Sequence, residues 1–193
     1  KKPPTYIPLA VRGGKHPPTL IAPRETKLIA ESPTFKWMGM EMQPGTLRVY
    51  GPEGVVWTAE NIALTQIKYP SSAPRLKPGV EYSWSIEKKG FPAEKARFTL
   101  LSPEKARPIQ EQLKSLDAAG GISKTTLAIL KANFLLSHGL LYEARELLAE
   151  AVREDPDEPA VHLLLGETYE KSGLKSLALE EYGEAQFLSR ISQ

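Results

Sequence analysis

Residues 75–86 read RLKPGVEYSWSI, and this stretch decides how the first half of the chain is built. Pro78 fixes its own φ and Gly79 accepts positive φ, so the Pro-Gly pair predicts a tight chain reversal. Tyr82, Trp84 and Ile86 then alternate with Glu81, Ser83 and Ser85, the period of a strand with one buried face. A turn that feeds an alternating strand is a β signal.

The same period recurs on either side. Phe35 and Trp37 alternate in TFKWM, Leu47 and Val49 in TLRVY, and Phe98 and Leu100 in RFTL. Turn-forming clusters separate them: QPG at 43–45, GPEG at 51–54, YPSSAP at 69–74 and KKGFP at 88–92. The pattern predicts strands near 19–22, 27–29, 34–38, 46–50, 55–58, 63–69, 80–88 and 95–101. Short strands at this spacing point to two packed sheets, a β-sandwich over residues 1–101 with 1–18 as an extended N-terminal segment.

From residue 122 the period becomes helical, and the chain matches itself at a shift of 34 residues. Leu130 aligns with Leu164, Gly139 with Gly173, Leu140 with Leu174, Ala144 with Ala178, Glu150 with Glu184 and Ala151 with Ala185. A 34-residue helical period is the tetratricopeptide signature. The small residues Ala132 or Gly166 and Ala144 or Ala178 let paired helices approach, while Leu148, Tyr169 and Tyr182 fill the larger positions. Gly139 and Gly173 close the first helix of each pair through positive φ. Pro156 stops the first unit and Pro159 suits the first position of the next helix. Two tetratricopeptide-like repeats therefore occupy residues 122–193. Between the halves, 102–121 predicts a connecting helix, capped by Ser102, started by Pro103 and ended by Gly120-Gly121, with Ile109, Leu113 and Leu116 as its apolar stripe. Pro108 deletes a helical bond, so the helix is expected to kink or begin there.

Composition agrees with two regimes in 193 residues. Residues 1–101 hold 15 Lys and Arg against 8 Asp and Glu, whereas 102–193 hold 10 against 15. All three tryptophans and 13 of the 17 prolines fall in the first part. No apolar run reaches the roughly 18 residues of a membrane span. The absence of cysteine excludes disulfides, thiolate nucleophiles and Cys-ligated zinc. The opening Lys1-Lys2 in place of Met reads as a mature or trimmed product.

Leu76-Lys77-Pro78-Gly79-Val80-Glu81-Tyr82 resembles the tyrosine corner of fibronectin type III and related sandwiches, in which the tyrosine hydroxyl bonds to backbone just upstream. With VRGGKHPPTLIAPRETKLIAESPTFKW, IKYPSSAPRLKPGVEYSW and LLSPEKARPIQEQLKSL, the chain resembles exported bacterial proteins common in cyanobacteria. These join a fibronectin-III-like sandwich to a tetratricopeptide-like helical tail. The resemblance implies a periplasmic or envelope setting and an adaptor-like role. It assigns structural parts to Trp37, Leu76, Pro78, Gly79, Tyr82 and Trp84, and it brings no catalytic residue.

Little in the sequence points to chemistry. His16, His138 and His162 lack ligand partners at metal spacing, and DPDE at 155–158 lacks the glycine and terminal glutamate of a calcium loop. RGGKH at 12–16 lacks P-loop spacing, and no GxSxG or SxxK arrangement occurs. The basic residues of the first half are scattered, and its tryptophans alternate as core residues do rather than as stacking platforms for nucleic acid. The expectation is a non-enzymatic protein-interaction adaptor without metal, cofactor or nucleic acid, binding a protein or peptide on a concave helical face. Asn133, Leu136, Ser137, Glu167, Glu170 and Lys171 would line that face. The alternative is a sandwich that binds cell-wall glycan through an exposed aromatic, Trp57 above all. Its helical tail would then serve packing or dimerisation, which places a homodimer among the partners expected.

Overall fold

A computed structural model describes residues 17–40, 44–118 and 120–191 of the chain. Eight strands come first: β1 (Thr19–Ala22), β2 (Thr26–Leu28), β3 (Thr34–Met38), β4 (Gly45–Gly51), β5 (Gly54–Ile62), β6 (Gln66–Lys68), β7 (Glu81–Glu87) and β8 (Ala96–Leu100). Five packed helices follow: α1 (Pro103–Ala118), α2 (Lys124–Ser137), α3 (Leu141–Glu154), α4 (Pro159–Lys171) and α5 (Lys175–Ile191). The strands form two sheets, ordered β1-β3-β6 and β2-β8-β7-β4-β5. Every strand lies where the two-residue period placed it, to within a few residues at the ends. The RGGKH stretch, His16 and all but the last two residues of the N-terminal segment lie outside the described residues.

Two compact units divide the chain, and they do not follow its order. The first holds the described residues up to Pro23, then Ser32–Pro74 and Tyr82–Ala96; the second holds Arg24–Glu31, Arg75–Glu81 and everything from Arg97.

In the first unit, alternation decides which side chains are enclosed. Phe35 and Trp37 of β3, Leu47 and Val49 of β4, and Trp84 and Ile86 of β7 are all buried. The Phe35 and Trp37 rings stand 5.0 and 6.3 Å from the Trp84 ring, so residues of both sheets share one aromatic core. Burying each such ring is worth roughly 1.5–3 kcal/mol. A buried indole N–H costs about 1–3 kcal/mol if left unpaired, and Trp84 avoids this by donating to the Pro23 carbonyl at 2.6 Å. Tyr82 is buried at the start of β7. One bond of the hydroxyl-to-backbone kind is made by Tyr69, which donates to the Pro74 carbonyl at 2.6 Å. Trp57 is half-buried, its ring edge-on to Tyr69 at 5.3 Å and tilted against Phe35 at 6.2 Å.

In the second unit, Gly79 takes φ +77° and its amide donates to the Leu100 carbonyl at 2.8 Å, so the Pro-Gly turn forms as expected. Leu76 is buried. The helices α2 and α3 repeat as α4 and α5. Gly139 and Gly173 both take positive φ, and Leu140 and Leu174 send their amides back to the carbonyls of Leu135 and Tyr169 at 3.0 and 2.8 Å. That is the six-to-one closure of a glycine-terminated helix, made twice at a 34-residue interval. Gly166 lies under the Tyr182 ring, where a Cβ would come within 2.6 Å of ring carbons. Starts and stops match the sequence as well. Ser123 caps α2 by accepting from the Thr126 amide, and Pro159 opens α4. Of the two expectations for helix α1, a start at Pro108 is not met. The helix neither begins nor breaks at Pro108, because it already runs from Pro103 and carries the proline inside it. The proline leaves the Glu104 carbonyl without the bond that an N–H at this position would have made.

The short strand β2 runs parallel to β8, pairing Thr26 with Phe98 and Leu28 with Leu100. Its backbone also serves the helices. The Lys27 amide donates to the Gly139 carbonyl at 3.3 Å, and Thr26 Oγ1 accepts from the Tyr142 amide at 3.2 Å. Glu143 Oε1 accepts from the amides of Ile29 and Ala30 at 2.6 and 3.1 Å. Helix α3 has no side-chain cap of its own at Leu140, so Thr26 supplies one of its orphan amides with an acceptor from far along the chain.

Candidate functional site

The six residues expected on a concave helical face lie on α2 and α4, which pack near one another. Asn133, Ser137, Glu170 and Lys171 are exposed and Glu167 is half-buried. Leu136 is the exception: at 6% exposure it is mostly enclosed, and it lines a cleft together with Lys171. The polar members are engaged locally. Asn133 Nδ2 donates to the Ile129 carbonyl at 3.0 Å and Ser137 Oγ to the Phe134 carbonyl at 2.7 Å. Lys171 pairs with Glu167 at 3.3 Å, one helical turn away. Glu170 accepts the Tyr182 hydroxyl at 2.7 Å; desolvation first, and then that bond, push the phenol up to about 12.

Of the buried polar residues, Thr26, Ser85 and Lys88 belong to the strand region, and His162, Thr168 and Ser172 to α4 and its end. His162 is enclosed, with Nδ1 2.7 Å from Glu181 Oε2 and Nε2 2.9 Å from the Pro156 carbonyl. A carbonyl accepts only, as does an ionised carboxylate, so these partners favour a proton on both ring nitrogens, the imidazolium form. Its pKa is raised, chiefly by the bond to Glu181 and against the opposing effect of burial. Glu143 is raised as well, because burial outweighs the two amides it accepts. Both groups hold elements together, and neither lines a cleft described here. Among the described residues no cluster of three or more His, Cys, Asp or Glu side chains is placed to hold a metal ion, and no helix is long and apolar enough to cross a membrane.

Open clefts lie within the second unit, a small one of about 170 Å³ between α2 and α3 and two larger ones. One, of about 460 Å³, is lined by residues of β2, β8 and the ends of α2 and α4. It carries charges of both signs, with Arg97 and Glu25 paired at 2.9 Å. The other, of about 570 Å³, runs between α1 and the end of α2 and is mainly apolar. Its apolar lining comes from Leu101, Pro108, Ile109 and Phe134, and Lys27, Lys105 and His138 border it. Sequence reasoning missed this second cleft. It read α1 only as a connecting helix, and nothing in a helical period says that Lys27, a hundred residues upstream, lines one cleft with Phe134. No protein-family model matches the chain, and no curated protein matches it.

Proposed function

We propose that the chain is a non-enzymatic interaction protein of a bacterial cell envelope, in which an immunoglobulin- or fibronectin-III-like β-sandwich carries two tetratricopeptide-like repeats as an adaptor module. The observation that carries this reading is the duplicate helix closure at Gly139-Leu140 and Gly173-Leu174, with Ala132 and Gly166 at equivalent close-packed positions. Helix pairs with one repeated closure stack into arrays whose faces suit extended peptides or partner helices. The antiparallel order β1-β3-β6 against β7-β4-β5, with aromatic residues of both sheets in one core, supports the sandwich. The envelope setting rests on the sequence resemblance alone.

The glycan-binding alternative needs an exposed aromatic platform. Trp57 offers only part of its ring, the rest standing against Phe35 and Tyr69. The test uses the immobilised full chain to capture partners from an envelope extract, alongside co-sedimentation of the chain with purified peptidoglycan. A defined protein partner retained by the native chain, with no co-sedimentation, is the expected result. Co-sedimentation lost on Trp57→Ala, without a protein partner, overturns the adaptor reading in favour of glycan binding.

A further inference from the structure

We infer that the groove between α1 and α2 binds an extended, acidic peptide segment that places one apolar side chain between Pro108, Ile109 and Phe134. This rests on the adaptor reading and names the chemistry of the partner. Three features of the groove carry it. The first is charge. Lys27 and Lys105 are exposed on its border, and neither is ion-paired among the described residues. Among the residues lining the groove, Glu104 is the single acid. His138 stands beside them with its Nδ1 2.8 Å from the Phe134 carbonyl, so Nδ1 carries the proton and donates there.

The second feature is shape. Glu104, Pro108 and Gln112 recur at four-residue steps along one face of α1, so the wall extends about 12 Å. That length suits roughly four residues of extended chain. The third distinguishes a peptide from any other apolar acid. Pro108 has no amide to give to the Glu104 carbonyl one turn back. Both residues line the groove, so a helix wall here carries a backbone acceptor relieved of its helical donor. A peptide can supply an N–H to that oxygen; a fatty acid cannot.

The test uses the full chain and a fluorescein-labelled peptide blocked at its C-terminus, Asp-Glu-Asp-Leu-Glu-Asp, with binding followed by anisotropy. Saturable binding should weaken about tenfold in the double variant Lys27→Glu/Lys105→Glu, since reversal of both charges turns attraction into repulsion. It should also weaken with added salt, and when Ser replaces the peptide's Leu. Pro108→Ala, which returns an amide to Glu104 without harming a helix, should weaken binding several-fold while leaving the circular dichroism spectrum unchanged. No saturable binding, or equal binding by the charge-reversed chain, overturns the proposal. Displacement of the peptide by dodecanoate, with Pro108→Ala binding the peptide as well as the native chain, overturns it in favour of an amphiphilic acid. An envelope partner captured equally by the native and charge-reversed chains overturns the groove and leaves the adaptor reading standing. Salt-sensitive peptide binding with no partner captured supports the groove while removing the support for the adaptor.

Discussion

The His162–Glu181 pair makes stability depend on pH with a definite sign. The imidazolium donates to Glu181 and to the Pro156 carbonyl, and its pKa in the folded chain lies above the usual value. A raised folded pKa means that the native state holds a proton the unfolded chain has released. The contribution is therefore complete below the unfolded pKa, about 6.5, and disappears as pH rises through the folded value. Within that window stability should fall by up to about 1.4 kcal/mol per pH unit. Glu184, also on α5, acts in the same direction, while Arg145 lies on the packed neighbour α3. Replacing one partner costs more than titration does, because the other is left enclosed. The His162 and Glu181 side chains are 8% and 16% exposed, so His162→Ala should cost about 2–4 kcal/mol, towards the lower end of buried-pair losses. Glu181→Gln keeps an acceptor for Nδ1 but removes the charge, so it should flatten the pH profile with a smaller loss. Urea denaturation of the native chain and Glu181→Gln, repeated between pH 5.5 and 9, measures the difference directly. An identical slope in both proteins would refute the assignment of the imidazolium to this pair.

Two glycines in the helices should respond in opposite directions. Gly166→Ala must displace the Tyr182 ring and should cost about 1–3 kcal/mol, whereas Gly183→Ala meets nothing within 4 Å and should gain roughly 0.5–1 kcal/mol; paired thermal melts check both signs. Tyr69→Phe removes the bond to Pro74 and should cost about 1 kcal/mol in denaturant unfolding, with no effect on the peptide assay above. For Glu143 the raised carboxyl pKa means that the charged form is disfavoured in the fold, so its contribution weakens as pH rises through the unfolded value of roughly 4.3 towards the folded one. Glu143→Gln, which retains an acceptor for Ile29 and Ala30, should therefore cost less than Glu143→Ala at pH 7, and equal losses from the two would show that the amides do not depend on it.

Local structure was legible because its causes are local. Alternation in TFKWM and YSWSI marks which side chains face inward, and β3 and β7 bury Phe35, Trp37 and Trp84 accordingly. Glycine at 139 and 173 announces a helix end through its own φ. What stayed hidden depends on distance. Arg24–Glu31 shares a unit with the helices, yet the bonds from Thr26, Ile29 and Ala30 to Tyr142 and Glu143 leave no periodic trace in either stretch. Glu143 looks in sequence like any acid in the first turn of a helix. Leu136 occupied a position that helical geometry assigns to the partner face, and only tertiary packing shows that it is enclosed. The α1–α2 groove needs Lys27, Pro108 and Phe134 together, which no window of sequence contains.

The bonds from Ile29 and Ala30 to Glu143 also set a timetable. These partners are 114 and 113 residues apart, so two amides wait for an acceptor until α3 has been made. At roughly 5–20 residues per second, a ribosome needs about 6–23 s to cover that interval. Through it, the segment that becomes β2 leaves the ribosome with its parallel partner β8 still some seventy residues behind. Long-range parallel pairing is slow and leaves strand edges open in the meantime. The second unit is therefore completed late, only once α3 is available to receive the Ile29 and Ala30 amides.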